Sequence, residues 1–121
     1  MILVDTSVWI DHLRVERPAL RQLLEDDRVG CHPFVIGELA CGHLMHRTEF
    51  LEHLTRLPSI DAANHEEAMH LLESRKLAGG GISWVDVHLL ASAMVSHVEL
   101  WTLDQPLLRA ARELSVAANV P

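Results

Sequence analysis

An α/β sandwich with a central parallel sheet flanked by helices is the fold class that this sequence predicts, and three observations predict it. Short apolar runs alternate with helical patterns along the chain, and the first run, Met1-Ile2-Leu3-Val4, is apolar at every position. The 121 residues contain no internal repeat, low-complexity stretch or long linker, so one domain over 1–121 is expected. Strands apolar on both faces and separated by helices belong to parallel sheets, joined by right-handed crossovers and covered on both sides.

Each element has its own signal. Met1 to Val4 reads as a buried strand that ends at Asp5-Thr6-Ser7, where a helix starts. Leu20, Leu23 and Leu24 form a helical stripe over Ala19 to Asp27, with Pro18 suited to the first turn. Val29 to Cys31 reads as a second strand, and Pro33 opens a helix that runs to about Gly42, where glycine suits the C-terminal cap. Phe50, Leu51, Leu54 and Leu57 predict a helix over Thr48 to Leu57, stopped by Pro58 and followed by a strand at Ser59 to Asp61. Asn64 caps a helix bearing Ala68, Leu71 and Leu72, which ends at the loop Gly79-Gly80-Gly81. Ser83 then starts an almost wholly apolar helix to about His97, Glu99 to Leu103 reads as a strand, Asp104-Gln105-Pro106 starts another helix, and Val116 to Ala118 is the last strand.

Composition excludes several function classes. Ten Lys and Arg against 17 Asp and Glu leave a net charge of −7, which disfavours a protein held to nucleic acid by a broad basic face. Two cysteines, Cys31 and Cys41, are too few for a disulfide scaffold, so a reducing cytoplasm is expected. The N-terminus has no basic lead-in and reaches Asp5 after four residues, unlike a signal peptide, and no apolar run is long enough to span a membrane. These features predict a soluble, complete chain without a membrane partner.

The informative acids are the solitary ones. Asp5 is the only charge in Met1 to Ile10, Glu38 the only formal charge between Cys31 and Gly42, and Asp86 the only one between Leu77 and Val98. Asp104 follows the strand Leu100-Trp101-Thr102-Leu103 as Asp5 follows Met1 to Val4, so both fall at the strand ends where open α/β sheets bind ligands. Structural roles compete: Asp5 and Asp104 suit N-caps, and Ser83-x-x-Asp86 fits a capping box. Glu38 has no Lys or Arg three or four residues away, so neither a cap nor a helical ion pair accounts for it. Carboxylates converging at one sheet edge repel one another unless a cation lies between them. Hard oxygen ligands select Mg²⁺ or Mn²⁺, and such ions activate water and shield phosphodiesters.

In this order and wording the acids are familiar. The chain resembles a PIN-domain ribonuclease of the VapC toxin type in four pieces that span nearly its whole length. These are Met-Ile-Leu-Val-Asp-Thr-Ser-Val-Trp-Ile-Asp at the start, Val35-Ile36-Gly37-Glu38-Leu39, Ser83-x-x-Asp86-x-x-Leu89-Leu90-Ala91-x-Ala93, and Trp101-Thr102-Leu103-Asp104. The resemblance implies a PIN-like sandwich and a metal-dependent endoribonuclease. It also implies a homodimer held inactive by a cognate VapB-like antitoxin, with operator DNA reached only through that antitoxin. Asp5, Glu38 and Asp86 match the family's acidic metal-binding triad, Asp104 its more variable fourth acid, and Ser7 and Thr102 its hydroxyl positions near the metal. After the fourth acid the family often carries an aromatic residue where this chain has Pro106-Leu107-Leu108, which bears on the geometry of Asp104.

Other constellations fail on spacing. His65 and His70 are five residues apart where a zinc-protease helix needs four, and Gly79-Gly80-Gly81 lacks the Lys-Ser/Thr of a phosphate loop. His43, His46 and His53 read as scattered surface residues. A receiver domain wants adjacent acids after the first strand, and a dehalogenase-like phosphatase wants an acid at position 7, where Ser7 stands. Arg14, Arg17, Arg21, Arg75 and Lys76 suit either an RNA backbone or plain solvation. The rival function is a weakly active PIN-fold module that acts mainly within an antitoxin and operator-DNA complex. For the enzyme, hydrolysis is expected to leave 5′-phosphate and 3′-hydroxyl ends.

Overall fold

In the computed structural model, which describes residues 1–120, the apolar opening run is the centre of the sheet. The elements follow in the order β1 (Ile2–Val4), α1 (Thr6–Arg14), α2 (Pro18–Glu25), β2 (Val29–Gly30), α3 (Pro33–Ala40), α4 (Arg47–Arg56), α5 (His65–Ser74), α6 (Trp84–Ser96), β3 (Glu99–Trp101) and α7 (Gln105–Glu113). The sheet order is β2-β1-β3 and both pairings are parallel, with Ile2 opposite Val29 and Glu99. Ile2, Leu3 and Val4 are buried because β1 has a strand on each side and helices over both faces.

The expected strands at Ser59–Asp61 and Val116–Ala118 shrink to single parallel bridges, Cys31 to Ser59 and Leu100 to Ala117. Each lies at an edge of the sheet, where only one side can pair. Leu100 exchanges two backbone bonds, with Val116 and Ala118, and Cys31 donates to the Pro58 carbonyl. The strand expected to reach Leu103 stops at Trp101, because the backbone beyond it turns to meet side chains rather than a neighbouring strand. At β2, Gly30 is fixed by packing, since a Cβ there would lie 2.7 Å from the Ile60 side chain.

The parallel arrangement brings helix starts to one edge. α1, α3 and α7 each begin just past the carboxyl end of a strand. His65 at the first position of α5 touches Trp84 at the first position of α6, so those two helix starts lie together as well. α6 is the most enclosed helix, buried continuously from Val87 to Ala93. That burial includes Ser92, whose Oγ accepts the Ala63 N–H at 2.8 Å and lies 3.1 Å from His32 Nε2.

His32 is the unexpected cap of α3. Its Nδ1 accepts the Phe34 N–H at 2.9 Å, so the neutral ring carries its proton on Nε2 and presents it to Ser92. With 1% of its surface exposed, the ring loses its second proton readily, and burial lowers its pKa from 6.5 to about 4, with the His88 charge adding to the effect. The unfolded chain therefore takes up this proton first as pH falls, and stability drains away between pH 6.5 and about 4. We expect this group to lower unfolding stability by roughly 2 kcal/mol at pH 5 relative to pH 7.5. Urea denaturation of the protein and of His32→Asn, which caps without titrating, checks it: the variant should lack this part of the decline.

Candidate active site

Asp5 stands at the junction of β1 and α1, 6% exposed, and its backbone N–H donates to the Trp101 carbonyl at 2.9 Å. Its side chain does not cap α1. Instead Oδ2 accepts the hydroxyls of Ser7 and Thr102, each at 2.7 Å. Ser7 Oγ in turn accepts the Leu103 N–H and Thr102 Oγ1 the Asp104 N–H. Both hydroxyl protons point at Asp5, so the 3.3 Å approach between Ser7 and Thr102 is a packing contact within that arrangement.

The other acids sit at helix starts or beside one. Asp104 is the N-cap of α7, its Oδ2 accepting the Leu107 N–H at 3.1 Å. Asp86 forms the capping box foreseen with Ser83, its Oδ2 accepting the Ser83 N–H at 2.9 Å while its own N–H donates to Ser83 Oγ. Burial raises the Asp86 pKa, the charges of Asp5 and Asp104 raise it further, and the Ser83 bonds oppose them. Three of the four acids thus feel one another. Glu38 is exposed on the last turn of α3 and does not figure among those charges. It is tied to the site through a residue that the sequence did not flag: Thr6 Oγ1 donates to Glu38 Oε1 at 2.8 Å. Thr6 lies between Asp5 and Ser7, and that position was its only signal.

The arrangement suits a cation in its chemistry. All donors are carboxylate oxygens, and the hydrogen bonds of the described residues leave Oδ1 of Asp5, Asp86 and Asp104 uncommitted. No ion pair among the described residues includes any of the four acids; Arg17 and Arg21 are engaged by Asp11, Glu16 and Glu25. No three acid, histidine or cysteine side chains among the described residues close up into a metal cage. Hard divalent ions tolerate such spacing because they keep waters of their own and bind through one or two carboxylates. The partial positive charges at the starts of α1, α6 and α7 offset part of the acids' repulsion.

The site is an open edge. Asp104 and Glu38 are exposed, whereas a cleft of about 470 Å³ between α5 and α6 and one of about 420 Å³ beside Trp9 are lined by other residues. An acidic, exposed edge of a parallel sandwich whose helix starts carry separate carboxylates is the architecture of a PIN domain, and the chain belongs to that family: the PIN domain pattern matches residues 2–113. It is 47% identical over 118 residues to Ribonuclease VapC32 from two strains of Mycobacterium tuberculosis, covering 97% of this chain and 95% of each relative. No helix of the described residues is long and apolar enough to cross a membrane.

The hydroxyls hold Asp5 and the helix starts together, which sets a stability prediction. Thr102→Val keeps the shape but leaves the Asp104 N–H without its acceptor and Asp5 with one donor fewer, at a buried position. We expect it to cost about 1–3 kcal/mol in urea denaturation, and Thr6→Val, on the more exposed side, to cost markedly less.

Proposed function

We propose that this protein is a metal-dependent endoribonuclease of the VapC toxin type that hydrolyses RNA phosphodiesters at the edge bearing Asp5, Glu38, Asp86 and Asp104. The observation that carries the reading is that Asp5 and Asp104 stand at the starts of α1 and α7 and Asp86 in the first turn of α6, with the Asp86 pKa raised first by burial and then by the charges of Asp5 and Asp104, and with no ion pair among the described residues engaging any of the three. Asp5, Glu38 and Asp86 would hold Mg²⁺ or Mn²⁺ directly or through water, Asp104 would help to hold the ion or orient water, and Thr6 ties Glu38 to the turn that carries Asp5. A divalent ion held there supplies the positive charge that turns water into a nucleophile and shields the phosphodiester. Ser7 and Thr102 fix Asp5 in direction by donating to one oxygen, Oδ2, and Oδ1 has no hydrogen bond among the described residues. The exposure of the edge supports a polymer substrate over an enclosed small molecule.

A protein partner suits the surface. Ile10, Leu13 and Val15 are 50, 47 and 73% exposed at the end of α1, apolar surface that a partner could cover. The resemblance to VapC toxins supports a VapB-like antitoxin and a homodimer, and the net charge of −7 supports operator DNA being reached through the antitoxin. That no three candidate ligands among the described residues form a closed metal cluster favours one second reading, a weakly active or inactive module that works mainly within that complex.

Cleavage of mixed-sequence RNA by purified, partner-free protein with Mg²⁺ or Mn²⁺ tests the assignment. We expect chelator and Asp5→Ala to abolish cleavage, Asp86→Asn to reduce it on the order of 100-fold, and the products to carry 5′-phosphates and 3′-hydroxyls. Cyclic phosphate ends would sink the hydrolytic mechanism, and a folded protein inert on all RNAs would favour the binding module.

A further inference from the structure

The chain has five aromatic residues of the Phe and Trp type, and three of them, Trp9, Trp101 and Phe50, are buried or half-buried. The other two, Phe34 and Trp84, are 40 and 38% exposed, and both sit in the first turn of a helix, α3 and α6. They are joined through one buried imidazole: the His88 ring lies 4.9 Å from Phe34 and 4.6 Å from Trp84. His65 meets Trp84 and His32 meets Phe34 at 61° and 63°. Every one of these contacts is edge-on or tilted, so the rings are held rigidly without being stacked face to face. Large aromatic surface left at a rim and clamped in place forgoes the stabilisation that burial would give it.

The position gives the surface a use. Phe34, Gly37 and Glu38 share one face of α3 at helical spacing, and a Cβ at Gly37 would meet nothing within 4 Å. A bare strip of helix therefore leads from the two rings to Glu38, which Thr6 ties to the residue after Asp5. Trp84 opens α6 on the face of His88, two residues along the chain from Asp86 and around the helix from it. A single strand laid along this strip from Glu38 would pass the Phe34 ring and reach Trp84 beyond it. Bases offer flat π faces whatever their sequence, and aromatic rings are their usual stacking partners in single-strand recognition.

We propose that Trp84 and Phe34 form a stacking platform for an unpaired nucleobase of the RNA strand, one that positions the strand across the Gly37 strip toward the carboxylates. The platform rests on the ribonuclease reading above and adds the residues that grip the strand. Both act by positioning, and neither touches the reacting phosphate.

The test compares the protein with Trp84→Ala, Trp84→Phe and Gly37→Leu, using single-stranded RNA and the same strand carrying one abasic nucleotide. Stacking predicts that Trp84→Ala raises KM about 5- to 100-fold while kcat changes little, and that Trp84→Phe retains most of the affinity. The salt dependence of binding should stay unchanged, because no charge is removed. Gly37→Leu, whose side chain enters open space, should fold normally and still raise KM. An abasic substitution at the stacked position should weaken the protein but make no further difference to Trp84→Ala. Quenching of tryptophan fluorescence by the strand, lost in Trp84→Phe, reads the contact without turnover. Binding and quenching without cleavage would overturn the nuclease reading and leave the platform standing. Cleavage with an unchanged KM in Trp84→Ala, or an equal loss of kcat in both Trp84 variants, would overturn the platform.

Discussion

A buried carboxylate must be hydrogen-bonded or it destabilises the fold that buries it, and the environment of Asp5 is built to that requirement. Its side chain takes two hydroxyls and its backbone N–H reaches Trp101, so the turn after β1 is pinned to the turn after β3. The same hydroxyls accept the N–H groups of Leu103 and Asp104, which steers the chain out of β3 and into α7. One charge thus sets the separation of two helix starts, and the place of Asp104 follows from it. The end of β3 at Trp101 has the same cause, because the next two residues bond to the Asp5 assembly instead of to a strand.

Each aspartate at the edge divides its labour. One oxygen serves the fold, by accepting a hydroxyl, an N-cap amide or the Ser83 amide of a capping box, and the other has no hydrogen bond among the described residues. The capping roles of Asp86 and Asp104 are thus compatible with the site role proposed for them, because each cap uses one oxygen. The helix starts supply partial positive charge that offsets part of the acids' repulsion, and no ion pair among the described residues engages any of the three. On the proposed reading, a divalent cation at this edge would offset the acids' charge toward a polyanion. The aromatic rim then supplies what an acidic protein lacks for holding nucleic acid, which is a contact that does not depend on charge.

The sheet centre, the helices and the four acids were legible because each leaves a local mark: an unbroken apolar run, a leucine stripe, or a lone charge in apolar surroundings. The edge strands were only half legible. Ser59 and Ala117 pair at one position each, and the pattern of three residues cannot distinguish a strand from a single bridge. The role of Thr6 was invisible because its partner is 32 residues away and a hydroxyl at a helix start has an ordinary explanation. His32 was hidden for the same reason: its two partners, one local and one 60 residues on, make it a cap and a cross-link at once. The fanned rings of Phe34 and Trp84 depend on helix starts meeting in space, which spacing along the chain does not encode.

The exposed position of Glu38 has an evolutionary consequence. It lies on the last turn of α3, where the helix end disfavours an acid, and a single hydroxyl holds it. Asp5 is enclosed and cross-braced, and its replacement endangers the fold along with the activity. On the role proposed for Glu38, a lineage under pressure to silence this protein while keeping its fold would have its easiest route at position 38. Copies decaying by drift should lose that acid before the buried one.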